Sequence, residues 1–128
     1  MASAPTLPTG AELDILRILW ARGPSSVRDV HERLDNDTTY TSTLKLMQMM
    51  FAKGYVRRDD AQRQHVYEAV IEQNGTLDGL VSRFVRHVFD GSAGALAVRA
   101  LGEGSATREE LKELKRLIRE MERDPDRK

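Results

Sequence analysis

The sequence predicts a mainly α-helical chain with one small β-hairpin. Three observations carry that expectation. Hydrophobic residues make up 40% of the 128 positions but aromatics only 5%, so the core must be built from Leu, Val, Ile and Met, a composition that suits packed helices better than a β-sandwich. Six segments repeat their apolar residues at helical spacing. The only two segments that read as strands are short, and a polar loop separates them.

The first helix is expected from about residue 10 to Arg22. Thr9-Gly-Ala-Glu12 has the form of a capping box, and Leu13, Leu16, Leu19 and Trp20 follow at helical spacing, with Ile15 and Ile18 widening the face. Gly23-Pro24 stops it. Ser26 can cap a second, short helix, with Asp29 three residues on and Val27, Val30 and Leu34 as its narrow apolar stripe. The polar link Asp35-Asn36-Asp37 leads to a third helix capped by Thr38 or Thr39, running to Lys53 and ending at Gly54. The strands are expected at 55–58 and 65–70, and the loop 59–64 between them carries Arg63 and Gln64.

After Asn74-Gly75 the pattern changes. Leu77, Leu80, Val81, Phe84, Val85 and Val88 give one helix a wide apolar face; a helix around Ala93–Leu101, bounded by glycines, carries Leu96 and Leu101. Thr107-Arg-Glu-Glu110 is a second capping box, and Leu111, Leu114, Leu117, Ile118 and Met121 line one side of the last helix before Asp124-Pro125 ends it. Together these faces offer more apolar area than one small domain can cover, and pairing two chains would bury it about a twofold axis.

The charge pattern points to the third helix. Twenty basic and twenty acidic residues cancel, yet from Thr38 to Arg58 there is no Asp or Glu, while Lys45, Lys53, Arg57 and Arg58 all fall there. Six hydroxyl-bearing residues, Thr38 to Thr43, open that window. Spacing of 100° per residue puts Thr43, Leu46, Met47, Met50 and Phe51 on a core side, and Thr41, Lys45, Gln48 and Ala52 on the opposite side, flanked by Ser42 and Met49. Short hydroxyls, an amide and a cation without a carboxylate are residue types that hydrogen-bond phosphates and base edges. A helix, a polar turn, a second helix with such a face and a hairpin with a basic tip is the order of a winged helix-turn-helix.

Other chemistries find little support. The chain has no cysteine, which excludes disulfides and thiolate metal sites and permits a reducing cytoplasm. His31, His65 and His87 show no metal-ligand spacing, Gly102-Glu-Gly104 lacks the third glycine of a dinucleotide loop, and no serine sits in a G-x-S-x-G setting. No enzymatic activity, cofactor or metal is expected. MASAPTLPTG has neither the basic start nor the apolar run of a secretory signal, and no apolar stretch approaches the roughly 20 residues that span a bilayer.

The chain resembles the penicillinase repressor family of bacterial transcription regulators. AELDILRILWARGPSSVRDVHERL, YTSTLKLMQMMFAKGYVRRD, HVYEAV, FDGSAGAL and TREELKELKRLIREM carry the resemblance by their order and spacing. It implies a cytoplasmic, homodimeric repressor on a palindromic double-stranded operator, with the third helix in the major groove and the wing on flanking DNA. The implied organisation is a flexible tail (1–8), a winged-helix DNA-binding domain (9–72), a C-terminal helical dimerisation region (73–123) and a second flexible tail (124–128). DNA contacts are expected from Thr39, Tyr40, Thr41, Ser42, Lys45, Gln48, Lys53, Arg57, Arg63, Gln64 and His65. Dimer contacts are expected from Leu77, Leu80, Val81, Phe84, Val88, Leu96, Leu101, Leu111, Leu114, Leu117, Ile118 and Met121. Relatives usually carry a basic residue at the position of Met49 and often one at Leu44, which implies that some backbone contacts are either missing here or shifted to Lys45 and Lys53. The Asn-Phe bond at which resistance-gene members are cleaved has no counterpart in LAVRAL, so an inactivating protease or inducer is a partner of unidentified kind. A winged helix that binds another protein, without specific DNA binding, is the alternative reading.

Overall fold

The computed structural model describes residues 7–35, 37–61 and 63–127. In chain order the elements are α1 (Gly10–Arg22), β1 (Ser25–Ser26), α2 (Val27–Arg33), α3 (Tyr40–Lys53), β2 (Val56–Asp59), β3 (Val66–Ala69), α4 (Gln73–Val88), α5 (Ala93–Glu103) and α6 (Arg108–Glu122). Among the described residues, six helices and a small antiparallel sheet make this a winged helix followed by C-terminal helices, the architecture expected from the sequence.

Both capping boxes form. Thr9 N–H donates to Glu12 Oε1 at 2.9 Å and Glu12 N–H to Thr9 Oγ1 at 3.3 Å; Thr107 and Glu110 repeat the exchange at 2.8 and 3.0 Å. Each exchange satisfies amide donors that a helix start leaves without intrahelical partners. Ser26 caps α2 by accepting from Asp29 N–H at 3.1 Å. At the end of α3, Gly54 takes φ +83°, its N–H reaches Phe51 O and Tyr55 N–H reaches Met50 O at 3.0 Å. This is a Schellman closure, and it needs glycine because the left-handed backbone crowds a Cβ.

The sheet has three strands where the sequence suggests two. Its order is β1-β3-β2, with Ser25 opposite Tyr67 and Ser26 opposite Val66. Two serines after Gly-Pro are too short for an alternating pattern, so only the tertiary pairing reveals them as a strand. In the hairpin Arg57 faces Glu68 and Arg58 faces Tyr67.

Chain contacts divide the molecule into two units, residues 1–81 and 82–128, with the division inside α4. In the first, Ile15, Leu16 and Leu19 of α1, Val27 and Val30 of α2, Met47 and Met50 of α3, and Tyr55, Val56 and Tyr67 of the hairpin form one core. Trp20 Nε1 donates to Ile71 O at 3.0 Å, tying α1 to the chain beyond β3. Pro8 is buried and Leu7 half-buried, so the packed unit begins before residue 9; residues 1–6 of the expected tail lie outside the described residues. Phe51 departs from expectation. It is 42% exposed, because the core side of α3 is centred on Thr43, Met47 and Met50 and Phe51 lies at its margin.

In the second unit a turn through Asp90 (φ +51°) and Gly91 (φ +85°) follows α4, with Gly91 N–H donating to Val85 O at 3.0 Å. α4 begins at Gln73, so Asn74-Gly75 lies in its first turn rather than before it; Glu72 Oε1 accepts from Gly75 N–H there at 3.2 Å. Neither α5 nor α6 has a buried residue. Phe84, Val88, Val98, Leu101, Leu111, Leu117, Ile118 and Met121 are all exposed, while Leu96 and Leu114 are half-buried. After α6, residues 124–127 form a turn in which Arg127 N–H donates to Asp124 O.

Candidate nucleic-acid interface

The hydroxyl run that opens α3 divides by position. Thr39 is the cap: its Oγ1 accepts from Ser42 N–H at 3.1 Å and donates to Ser42 Oγ at 2.9 Å. Ser42 Oγ therefore keeps its own O–H to donate outward. Thr43 turns into the core, where its hydroxyl donates to Thr39 O at 3.2 Å and lies 2.9 Å from His31 Nδ1. With the Thr43 proton so engaged, Nδ1 of His31 is the donor to Thr43 Oγ1.

Thr41, Ser42, Lys45 and Gln48 are exposed along α3, and no carboxylate lies on the helix. To one side of this ridge a groove of roughly 330 Å³ is lined by Arg28 of α2, by Tyr40, Leu44 and Gln48 of α3, and by Arg58, Arg63, Gln64 and His65 of the hairpin. To the other side, Thr39, Ser42, Lys45 and Met49 surround a shallow depression shared with Ala11 and Asp37. Met49, 45% exposed, lines this depression together with Leu46 and Ala11.

The wing is less basic than its sequence suggests. Asp60 Oδ1 lies 2.7 Å from Arg58 Nε and 3.3 Å from His65 Nδ1, and Asp59 Oδ1 accepts from Ala61 N–H at 2.9 Å in a local turn. The guanidinium of Arg58 also lies over the Phe51 ring, 4.7 Å from its centroid. A hydrogen bond with Tyr67, then the Asp60 carboxylate, holds Arg58 above its ordinary pKa. The exposed Phe51 therefore serves as the platform for this side chain. Arg63 and Gln64 are exposed at the tip; Gln62 lies outside the described residues.

A family model described as penicillinase repressor matches residues 8–120 of the 128-residue chain. The chain belongs to the penicillinase repressor family. No curated protein matches it significantly. The penicillinase repressor family is one of DNA-binding transcriptional repressors, so membership places this chain in transcription regulation. Among the described residues, no helix is long and apolar enough to cross a membrane.

Within this penicillinase repressor fold, two of the expected DNA contacts form ion pairs within the chain. Lys53 Nζ lies 2.7 Å from Oε2 of the buried Glu12, an ion pair in which the Lys53 side chain itself stays 37% exposed. Arg57 pairs with Glu68 across the hairpin and does not line the groove. Strand alternation explains it, since neighbouring Arg57 and Arg58 project to opposite faces of the sheet. The groove instead gains Arg28 and Arg58, which sequence reasoning did not select. For Arg28 a signal existed: Val27 and Val30 set the buried stripe of α2 and leave Arg28 on its open flank.

Proposed function

We propose that this member of the penicillinase repressor family acts in the cytoplasm as a homodimer on a palindromic operator, with α3 in the major groove and the β2-β3 wing against flanking DNA. The observation that carries the reading is the exposed ridge of Thr41, Ser42, Lys45 and Gln48, free of carboxylates and adjoined by a groove with three arginines. Hydroxyls and an amide at the crest suit base edges; cations on the flanks suit phosphates. The twofold pairing is supported by the apolar faces of α4, α5 and α6, whose exposed Val88, Val98, Leu117 and Ile118 would be costly to leave in water.

Binding to duplex DNA measured over a range of salt concentrations tests the proposal. Affinity should fall linearly on a log–log plot, with a slope of about −0.9 for each phosphate neutralised. Negligible binding at low salt would refute it.

A further inference from the structure

Arg28 lies in the first turn of α2, outside the expected recognition helix, yet it lines the groove between α3 and the wing. Its guanidinium carbon lies 5.5 Å from the centroid of the Tyr40 ring. That ring in turn meets His31 edge to face, with centroids 5.6 Å apart and planes at 86°. His31 is held from behind by Thr43, and Thr43 by the carbonyl of Thr39, the cap of α3. A continuous series of contacts thus runs from the cap of the recognition helix through its core-facing threonine and two rings to a cation at the groove.

Resting on the DNA-binding reading above, we propose that Arg28 binds a phosphodiester of the DNA backbone and that Tyr40 is its positioning residue, acting through the face of its ring. A cation over an aromatic face is attracted by the ring quadrupole, which narrows the directions a long side chain samples. Arg28 and the wing's Arg63 line the same groove. A phosphate seated there would meet cations contributed by both α2 and the wing. The hydroxyl of Tyr40 is not required for this role, since the aromatic face alone orients the guanidinium.

The test measures affinity for a short random-sequence duplex against salt concentration, because phosphate contacts do not depend on sequence. Variants are Arg28→Ala, Tyr40→Phe, Tyr40→Leu and the Arg28→Ala/Tyr40→Leu double, each checked for an unchanged melting temperature. Arg28→Ala should reduce the salt slope by about 0.9 for each Arg28 in contact with a phosphate. Tyr40→Phe should keep the wild-type slope, Tyr40→Leu should reduce it toward that of Arg28→Ala, and the double variant should bind no more weakly than Arg28→Ala alone. An unchanged slope in Arg28→Ala overturns the proposal, as does strict additivity of the two losses or an equal loss in Tyr40→Phe and Tyr40→Leu. If the wild type itself binds no duplex, the DNA-binding reading falls and takes this proposal with it.

Discussion

Lys53 Nζ, at the end of α3, lies 2.7 Å from Oε2 of Glu12, whose other carboxylate oxygen closes the capping box of α1 at 2.9 Å from Thr9 N. One buried carboxylate thus joins the end of α3 to the beginning of α1. Burial pushes the Glu12 carboxyl up, but the hydrogen bond from Lys53, those with Thr9 and the Lys53 charge outweigh it and hold the group below its ordinary 4.5. The hydrogen bond to Glu12 and its charge hold Lys53 above its ordinary 10.5, against desolvation.

The pH dependence follows from these directions. A carboxyl with a depressed folded pKa contributes stability that is present above its unfolded value and lost as pH falls through the folded one. An ammonium with a raised folded pKa contributes stability that is present below its unfolded value and lost as pH rises through the folded one. Glu12→Gln should therefore flatten the acid decline of the melting temperature, and Lys53→Met should lower the melting temperature at neutral pH. The same Lys53→Met change should leave the salt slope of DNA binding unchanged, because Lys53 serves Glu12; a slope lowered as far as by Lys45→Ala would assign Lys53 to a phosphate instead.

Ser42 Oγ accepts from Thr39 and keeps its own O–H for an outside acceptor, an arrangement suited to a base edge. Ser42→Ala should reduce the preference for operator over random duplex by about 1–3 kcal/mol. Equal losses on both duplexes would make Ser42 a backbone contact.

Met47 is fully buried beneath the exposed ridge of α3. Met47→Ala should destabilise the protein by about 2–5 kcal/mol through lost burial and a residual cavity, measured by denaturant unfolding. A cost under about 1 kcal/mol, as expected for surface substitutions, would mean that α3 is not anchored through this side chain.

Ile118 and Leu117 lie exposed on α6. Burying a side chain of this kind contributes about 1.5–3 kcal/mol, so Ile118→Glu should raise the dimer dissociation constant tenfold or more in sedimentation, with helix content preserved. Sedimentation of the wild type as a monomer at micromolar concentration would remove the dimer.

Much of the fold was legible because local signals agree with tertiary ones. Thr9-x-x-Glu12, Ser26, Thr107-x-x-Glu110 and Gly54 mark helix ends by chemistry that acts within a few residues. What stayed hidden depends on distant partners. The Ser25-Ser26 strand exists through its pairing with Tyr67 and Val66, and the fate of Lys53 is decided by a carboxylate 41 residues away. At the candidate interface, helical periodicity placed Thr41, Ser42, Lys45 and Gln48 outward. It could not bring Arg28 beside Tyr40, or Arg58 onto Phe51, because those contacts join separate elements.

Operator recognition is tested by sequencing the DNA fragments that the purified chain retains. The retained pool should be enriched in an inverted repeat whose half-sites are separated by about one helical turn of 10–10.5 base pairs or a multiple of it. A retained pool with the same sequences as the input would contradict it.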